Sequence, residues 1–189
     1  MLAHLWRAIA FLLVLSGQTC QAQNATNDAS GCIFAGEHLF NNKGHYVTCD
    51  ALAGRAVAIY FAGEWCPLCR KFTPALKEFY AQYRSTMQIV FVSSDETKRD
   101  AQKHFAGAQG DWLALAWDDP LASDLKRKHR IWSGREVSQF GHGRRSGVPC
   151  VVVIDQRGSE LAFLPGERFG AAALREWEPT RVQQWPDEL

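Results

Sequence analysis

With 189 residues, 47% hydrophobic and 12% aromatic, the chain has the length and composition of one globular domain. A formal net charge of +1 sets up no global field for nucleic acid or an acidic membrane surface. Six cysteines are too few for a disulfide scaffold of this length, so each must be explained by its own surroundings.

Residues 1–22 read as a secretory signal peptide. Arg7 precedes the apolar run AIAFLLVL (8–15), which is too short to span a bilayer, and the small residues Cys20 and Ala22 stand before a predicted cut at Gln23. Gln18 and Thr19 suit lipoprotein attachment at Cys20 poorly. Export places the mature chain in a periplasm, if the source is bacterial, or in a secretory lumen or outside the cell, if eukaryotic. There disulfides become chemically available, and no membrane contact remains after cleavage. Residues 23–31 (QNATNDASG) are a polar lead-in, 32–178 the predicted domain and 179–189 a tail. The tail ends in PDEL, a weak match to an endoplasmic-reticulum retention signal.

Within the domain, HLF and HYV flank NNKG as a hairpin. AVAIYFA (56–62) is a continuous apolar run suited to a buried central strand. The stretch GEWCPLCRKFTP (63–74) then opens a helix whose Phe72, Leu76, Phe79, Tyr80 and Tyr83 form one apolar stripe. QIVFVSS (88–94) is a second buried strand. Asp95 and Glu96 read as caps for a helix TKRDAQKHFAG (97–107) that ends at its glycine. A short strand WLALAW (112–117), a polar helix over 121–130 and a long loop over 131–147 follow. VPCVVVID (148–155) and ELAFL (160–164) form a second hairpin, and AAALREWE (171–178) a last helix. The alternation predicts an α/β fold: a mixed sheet flanked by helices, its parallel strands joined by right-handed crossovers.

Cys66 and Cys69 carry the chemistry. Haem attachment needs His after the second cysteine, where Arg70 stands. Tetrahedral zinc needs a second close pair of ligands, and a structural bond across three residues would close too small a loop to stabilise much. Redox use fits the local physics. The pair follows a buried strand and opens a helix, with Pro67 at a favoured first position, so aligned N–H groups stabilise a thiolate on a solvent-facing Cys66. Cys69, one turn in, is placed to attack a mixed disulfide, and Trp65 forms a dry wall beside the pair. Arg70 and Lys71 read as solvated helix surface.

YFAGEWCPLCRKFTP resembles the active-site segment of the thioredoxin superfamily, most closely the tryparedoxin/nucleoredoxin branch, which reads YFSASWCPPCRxFTP. The likeness continues through LKEFYAQY, IVFVSSDE and GVP-x-VVVID and covers residues 36–165. It implies a thioredoxin fold with an N-terminal β-hairpin extension, and thiol–disulfide oxidoreductase activity without a cofactor or metal. Cys66 and Cys69 would be catalytic, with a substrate groove formed by Trp65, Pro67, Val148 and Pro149. It further implies a cis Val148–Pro149 bond, a helix kink at Pro74, and Tyr60 where thioredoxins proper carry a buried acid. The partners implied are a protein disulfide or dithiol and a thiol electron donor or acceptor, met by a monomer that binds no nucleic acid. Two departures stand out: Pro67-Leu68 between the cysteines, and a longer segment over 131–147.

Two rival functions remain: a Cu(I)-type module using Cys66, Cys69 and His142 or Cys150, and a thiol peroxidase, which lacks its Thr-x-x-Cys pattern here. Cys32 and Cys49 are either a structural disulfide or two small buried residues. Cys150 is a small buried residue or a third redox thiol. His142, Arg144 and Arg145 form a solvated basic loop or a contact for an acidic partner.

Overall fold

The computed structural model describes residues 32–178 apart from 37, 38 and 156; the predicted signal peptide, lead-in and tail lie outside these residues. Cys32 and Cys49 are disulfide-bonded, with Cα atoms 6.5 Å apart. The bond encloses a hairpin of β1 (Leu39–Phe40) and β2 (Tyr46–Val47). Asn41 shapes its turn: the side-chain oxygen accepts the N–H groups of Lys43 and His45, and Gly44 takes the left-handed φ of 78° that L side chains avoid.

β3 (Ala56–Ala62) and β4 (Met87–Ser93) are buried at every position, as parallel strands covered on both faces must be. The sheet runs β2-β1-β5-β4-β3-β6-β7, where β5 is Leu113–Leu115, β6 Cys150–Ile154 and β7 Glu160–Leu164. β3, β4 and β5 are parallel; β6 runs antiparallel to β3, and β1 antiparallel to β5. The helix α1 (Pro67–Tyr83) connects β3 to β4 and buries Cys69, Phe72, Thr73 and Leu76. Its Phe79 meets Trp177, which follows a 3₁₀ segment (Gly170–Glu176). The predicted helix over 171–178 is thus this 3₁₀ segment, preceded by a short helix, α5 (Gly166–Phe169).

α2 (Lys98–Ala108) is capped by Thr97, whose Oγ1 accepts the Asp100 N–H, and not by Asp95 or Glu96. It continues through Gly107, where the backbone keeps a negative φ, and stops at an extended Gln109. Phe105 of α2 stacks on Phe91 of β4 and meets Phe40 of β1 edge-on, which packs the hairpin end of the sheet against α2. α3 (Pro120–His129) ends on a left-handed Arg130.

The segment predicted as a loop over 131–147 is folded. Glu136 accepts the Ser133 N–H and returns its own N–H to the Ser133 carbonyl, closing a 3₁₀ turn (Gly134–Glu136) that runs into α4 (Val137–Phe140). Lys126 of α3, 6% exposed, anchors it by donating to the Ser93 carbonyl at 2.7 Å and pairing with Glu136. Arg144 pairs with Glu167, and Arg145 with Glu160 while lying over Phe163, so both arginines are committed within the chain. Among the described residues, no helix is long and apolar enough to cross a membrane.

Candidate active site

The C-terminal end of β3 delivers the chain to a three-residue turn, Gly63–Trp65, and then to α1. The turn is tight: a Cβ on Gly63 would lie 2.6 Å from the Trp65 indole nitrogen. Cys66 is the N-cap of α1 and Pro67 its first residue. The Cys66 sulfur accepts the Cys69 N–H at 3.1 Å, one of the donors that a helix start leaves unpaired. Cys69 lies one turn inside the helix and is buried.

These contacts separate the two thiols. A hydrogen bond from the Cys69 side chain lowers the Cys66 pKa most. Burial opposes it, the N–H groups of Cys69 and Leu68 and the charge of Arg70 add to it, and the result is about 6. The same bond, seen from the donor, raises Cys69 far above an ordinary thiol, and burial adds to the rise. Arg70 therefore belongs to the site; its guanidinium also donates to the Glu64 carbonyl at 2.7 Å.

Cys66 is only 4% exposed, which corrects the expectation of a solvent-facing thiol. Tertiary contact explains it. The segment before β6 folds over the helix start, and the Cys66 sulfur lies 3.5 Å from the Val148 carbonyl. The Val148–Pro149 peptide is cis, and both residues are buried. Gly166 allows this close packing, since a Cβ there would meet Phe72 at 2.7 Å and the Pro149 carbonyl at 3.1 Å. Of the predicted groove residues, Val148 thus lies against Cys66 through its carbonyl, Pro149 is buried next to it in the chain, Trp65 is half-buried and Pro67 is exposed. Leu68, 46% exposed, adds an apolar surface at the mouth.

Behind the pair, Tyr60 is buried and its hydroxyl lies 2.9 Å from Thr73 Oγ1, which donates to the Cys69 carbonyl at 2.8 Å. Burial raises the Tyr60 pKa well beyond the physiological range, so it remains a neutral phenol. Cys150 is also buried, and burial pushes its thiol up to about 12. Among the described residues, no three His, Cys, Asp or Glu side chains gather as a metal-ligand set, so neither His142 nor Cys150 joins the pair in one.

Sequence reasoning missed three contributors: Asp95 as an anchor of the turn, the Ser94 carbonyl as the acceptor for Trp65, and Arg135. Asp95 accepts the Glu64 N–H at 2.7 Å, pinning the turn. Trp65 donates its indole N–H to the Ser94 carbonyl at 3.0 Å. Arg135 places its guanidinium 4.1 Å from the centre of the Trp65 ring and pairs with Glu96. Together Trp65, Arg70, Glu96 and Arg135 line a cavity of about 280 Å³ beside the helix start.

The thioredoxin-like family model matches residues 54–160, more than half of the chain. The chain belongs to the thioredoxin-like family. Within it the similarity points to the tryparedoxin/nucleoredoxin branch. The chain is 31% identical to mouse nucleoredoxin over 151 residues, covering 78% of this chain and 30% of that protein. It is 37% identical to Trypanosoma brucei tryparedoxin over 79 residues, covering 41% of this chain and 54% of the tryparedoxin. Among solved structures, a Wuchereria bancrofti thioredoxin superposes with a TM-score of 0.61 at 29% identity, covering 80% of this chain and 94% of that one. A Trypanosoma brucei tryparedoxin superposes at 0.58 with 26% identity, covering 84% and 97%. The thioredoxin fold and its mixed, helix-flanked sheet agree with the expectation from sequence.

Proposed function

We propose that this member of the thioredoxin-like family is an exported thiol–disulfide oxidoreductase acting on protein disulfides. The observation that carries the proposal is a thiol at a helix start, accepting the Cys69 N–H, beside a second thiol that is held protonated. The Cys66 thiolate attacks one sulfur of a substrate disulfide and expels the other as a thiolate. Once Cys66 is bound in the mixed disulfide it no longer holds the Cys69 proton. Cys69 then loses that proton to solvent or to the departing thiolate and attacks the Cys66 sulfur. The second substrate thiol leaves, and the Cys66–Cys69 disulfide is reduced by an external thiol donor.

Trp65, Pro67, Val148 and Pro149 form the groove that receives the substrate. Export is supported by the pattern of residues 1–22 and by the Cys32–Cys49 bond, which suits an oxidising compartment. The domain proper is 32–178, acting as a monomer.

The test is insulin reduction with dithiothreitol as donor. The wild type is expected to accelerate precipitation, and Cys66→Ser to be inactive. Cys69→Ser should accumulate a mixed disulfide through Cys66, because nothing remains to resolve it. Adducts on Cys66→Ser in place of Cys69→Ser would reverse the roles and overturn the mechanism. Export is checked by sequencing the secreted protein, whose first residue is expected to be Gln23.

A further inference from the structure

α2 carries a buried histidine that the proposed reaction does not use. His104 is 3% exposed, and its Nδ1 lies 2.8 Å from Asp95 Oδ2. On its other side, the Gln109 amide nitrogen lies 2.7 Å from Nε2 and donates to it. Nε2 is therefore an acceptor, and the ring carries its proton on Nδ1, aimed at Asp95. The ring also packs edge-on against Phe91, with centroids 5.2 Å apart.

Asp95 carries this interaction to the turn before Cys66. Its Oδ1 accepts the Glu64 N–H, while Oδ2 accepts from Ser93 Oγ at 2.7 Å as well as from His104. The Asp95 carbonyl in turn accepts the Trp117 indole N–H at 2.7 Å. The Ser94 carbonyl holds the Trp65 indole. Two consecutive residues after β4, Ser94 and Asp95, thus grip the turn before Cys66, and His104 is the outermost support of that grip. A buried carboxylate needs such support. Burial alone favours its neutral form; the bonds from His104, Ser93 and Glu64 outweigh this and keep it ionised.

We propose that His104 is a positioning residue for the Cys66–Cys69 centre, acting through Asp95 to fix the Glu64–Trp65 backbone that presents Cys66. Without the Nδ1 donor, Asp95 is free to take up a proton or turn away. Glu64 then loses its acceptor, and the turn is no longer held at the geometry that aligns Cys66 with the Cys69 N–H. The proposal rests on the oxidoreductase reading for its catalytic consequence, but not for its structural one.

The test compares His104→Asn with His104→Phe in the full chain. The Asn amide nitrogen falls where Nδ1 lies, so it keeps the donor to Asp95. Phe keeps the ring packed on Phe91 and removes the donor. Two quantities are read: insulin-reduction kcat/KM, and the pH midpoint of Cys66 alkylation by iodoacetamide. The expected result for His104→Phe is a loss of roughly ten- to a hundredfold in kcat/KM, as misplacement of a reacting group produces, with the midpoint moved upward. His104→Asn is expected to stay near wild type in both. Should His104→Phe fail to fold, His104→Gln takes its place, because its amide lies at the Nε2 position and cannot reach Asp95. An unchanged midpoint in the donor-less variant overturns the proposal. Equal impairment of the Asn and Phe variants also overturns it, since packing alone would then explain the residue. The alkylation midpoint needs no substrate, so it decides the role of His104 even if the wild-type protein reduced no disulfide.

Discussion

A thiol is mostly thiolate at neutral pH only if its surroundings stabilise the charge, and Cys66 has two donors on one neighbour, the N–H and the thiol of Cys69. Its folded pKa lies below the free value near about 8.5. Above a pH of about 6 the site therefore holds a thiolate, and below it a thiol. Iodoacetamide labelling across pH is expected to give a Cys66 midpoint near about 6. A hydrogen bond to a charged group contributes about 1.5–3 kcal/mol, and a pKa unit corresponds to about 1.4 kcal/mol. Cys69→Ala should therefore raise the midpoint by about one unit or more, and Cys69→Ser by less, because a hydroxyl still donates. An unmoved midpoint in the alanine variant would show that the donor lies elsewhere. Tyr60 offers the opposite test. As a neutral phenol bonded to Thr73, it contributes to packing and not to charge. Tyr60→Phe is expected to cost about 1 kcal/mol in urea unfolding while leaving the Cys66 midpoint in place.

Each element owes its position to signals of different reach, and this decides what could be read in advance. β3 occupies 56–62 as the apolar run predicts, because a strand covered on both faces writes its burial into every residue. α1 likewise follows its apolar stripe, and Cys66 and Cys69 could be singled out by spacing and by the strand-to-helix junction alone. The fold of 131–147 was hidden because its two turns are held by Lys126, Ser133 and Glu136, polar residues with no period. The grip of Asp95 on Glu64 was hidden for a related reason: the two are 31 residues apart, and an acidic residue ahead of a helix reads as a cap. Thr97 holds that role, so Thr97→Ala is expected to cost about 1 kcal/mol by thermal unfolding. Asp95→Ala should cost more, since it leaves the buried His104 donor and the Glu64 N–H unpaired. The burial of Cys66 depends on the cis-proline segment 82 residues away, which no local pattern encodes.

For the molecule as a whole, the Cys32–Cys49 bond joins two residues 17 apart in sequence, and in the chain-entropy model a loop of that length contributes about 3 kcal/mol. Replacing both cysteines by serine is expected to lower the melting temperature by several degrees and to leave Cys66 alkylation unchanged. Within the sheet, β5 and β4 separate the hairpin it closes from β3. A loss of thiol reactivity together with the bond would show that hairpin and site are coupled. The same strand order ranks the molecule's own openings. β1 and β2 have two paired residues each, β7 is an edge, and β3 has a hydrogen-bonded neighbour on both sides. Exchange with deuterated solvent should therefore be fast at Tyr46 and Val47, which local opening exposes, and slowest at Ile59 and Tyr60, which wait for the whole domain to unfold. A three-residue turn ties Cys66 to the end of that strand, so the candidate nucleophile is expected to be anchored to the part of the protein that opens last.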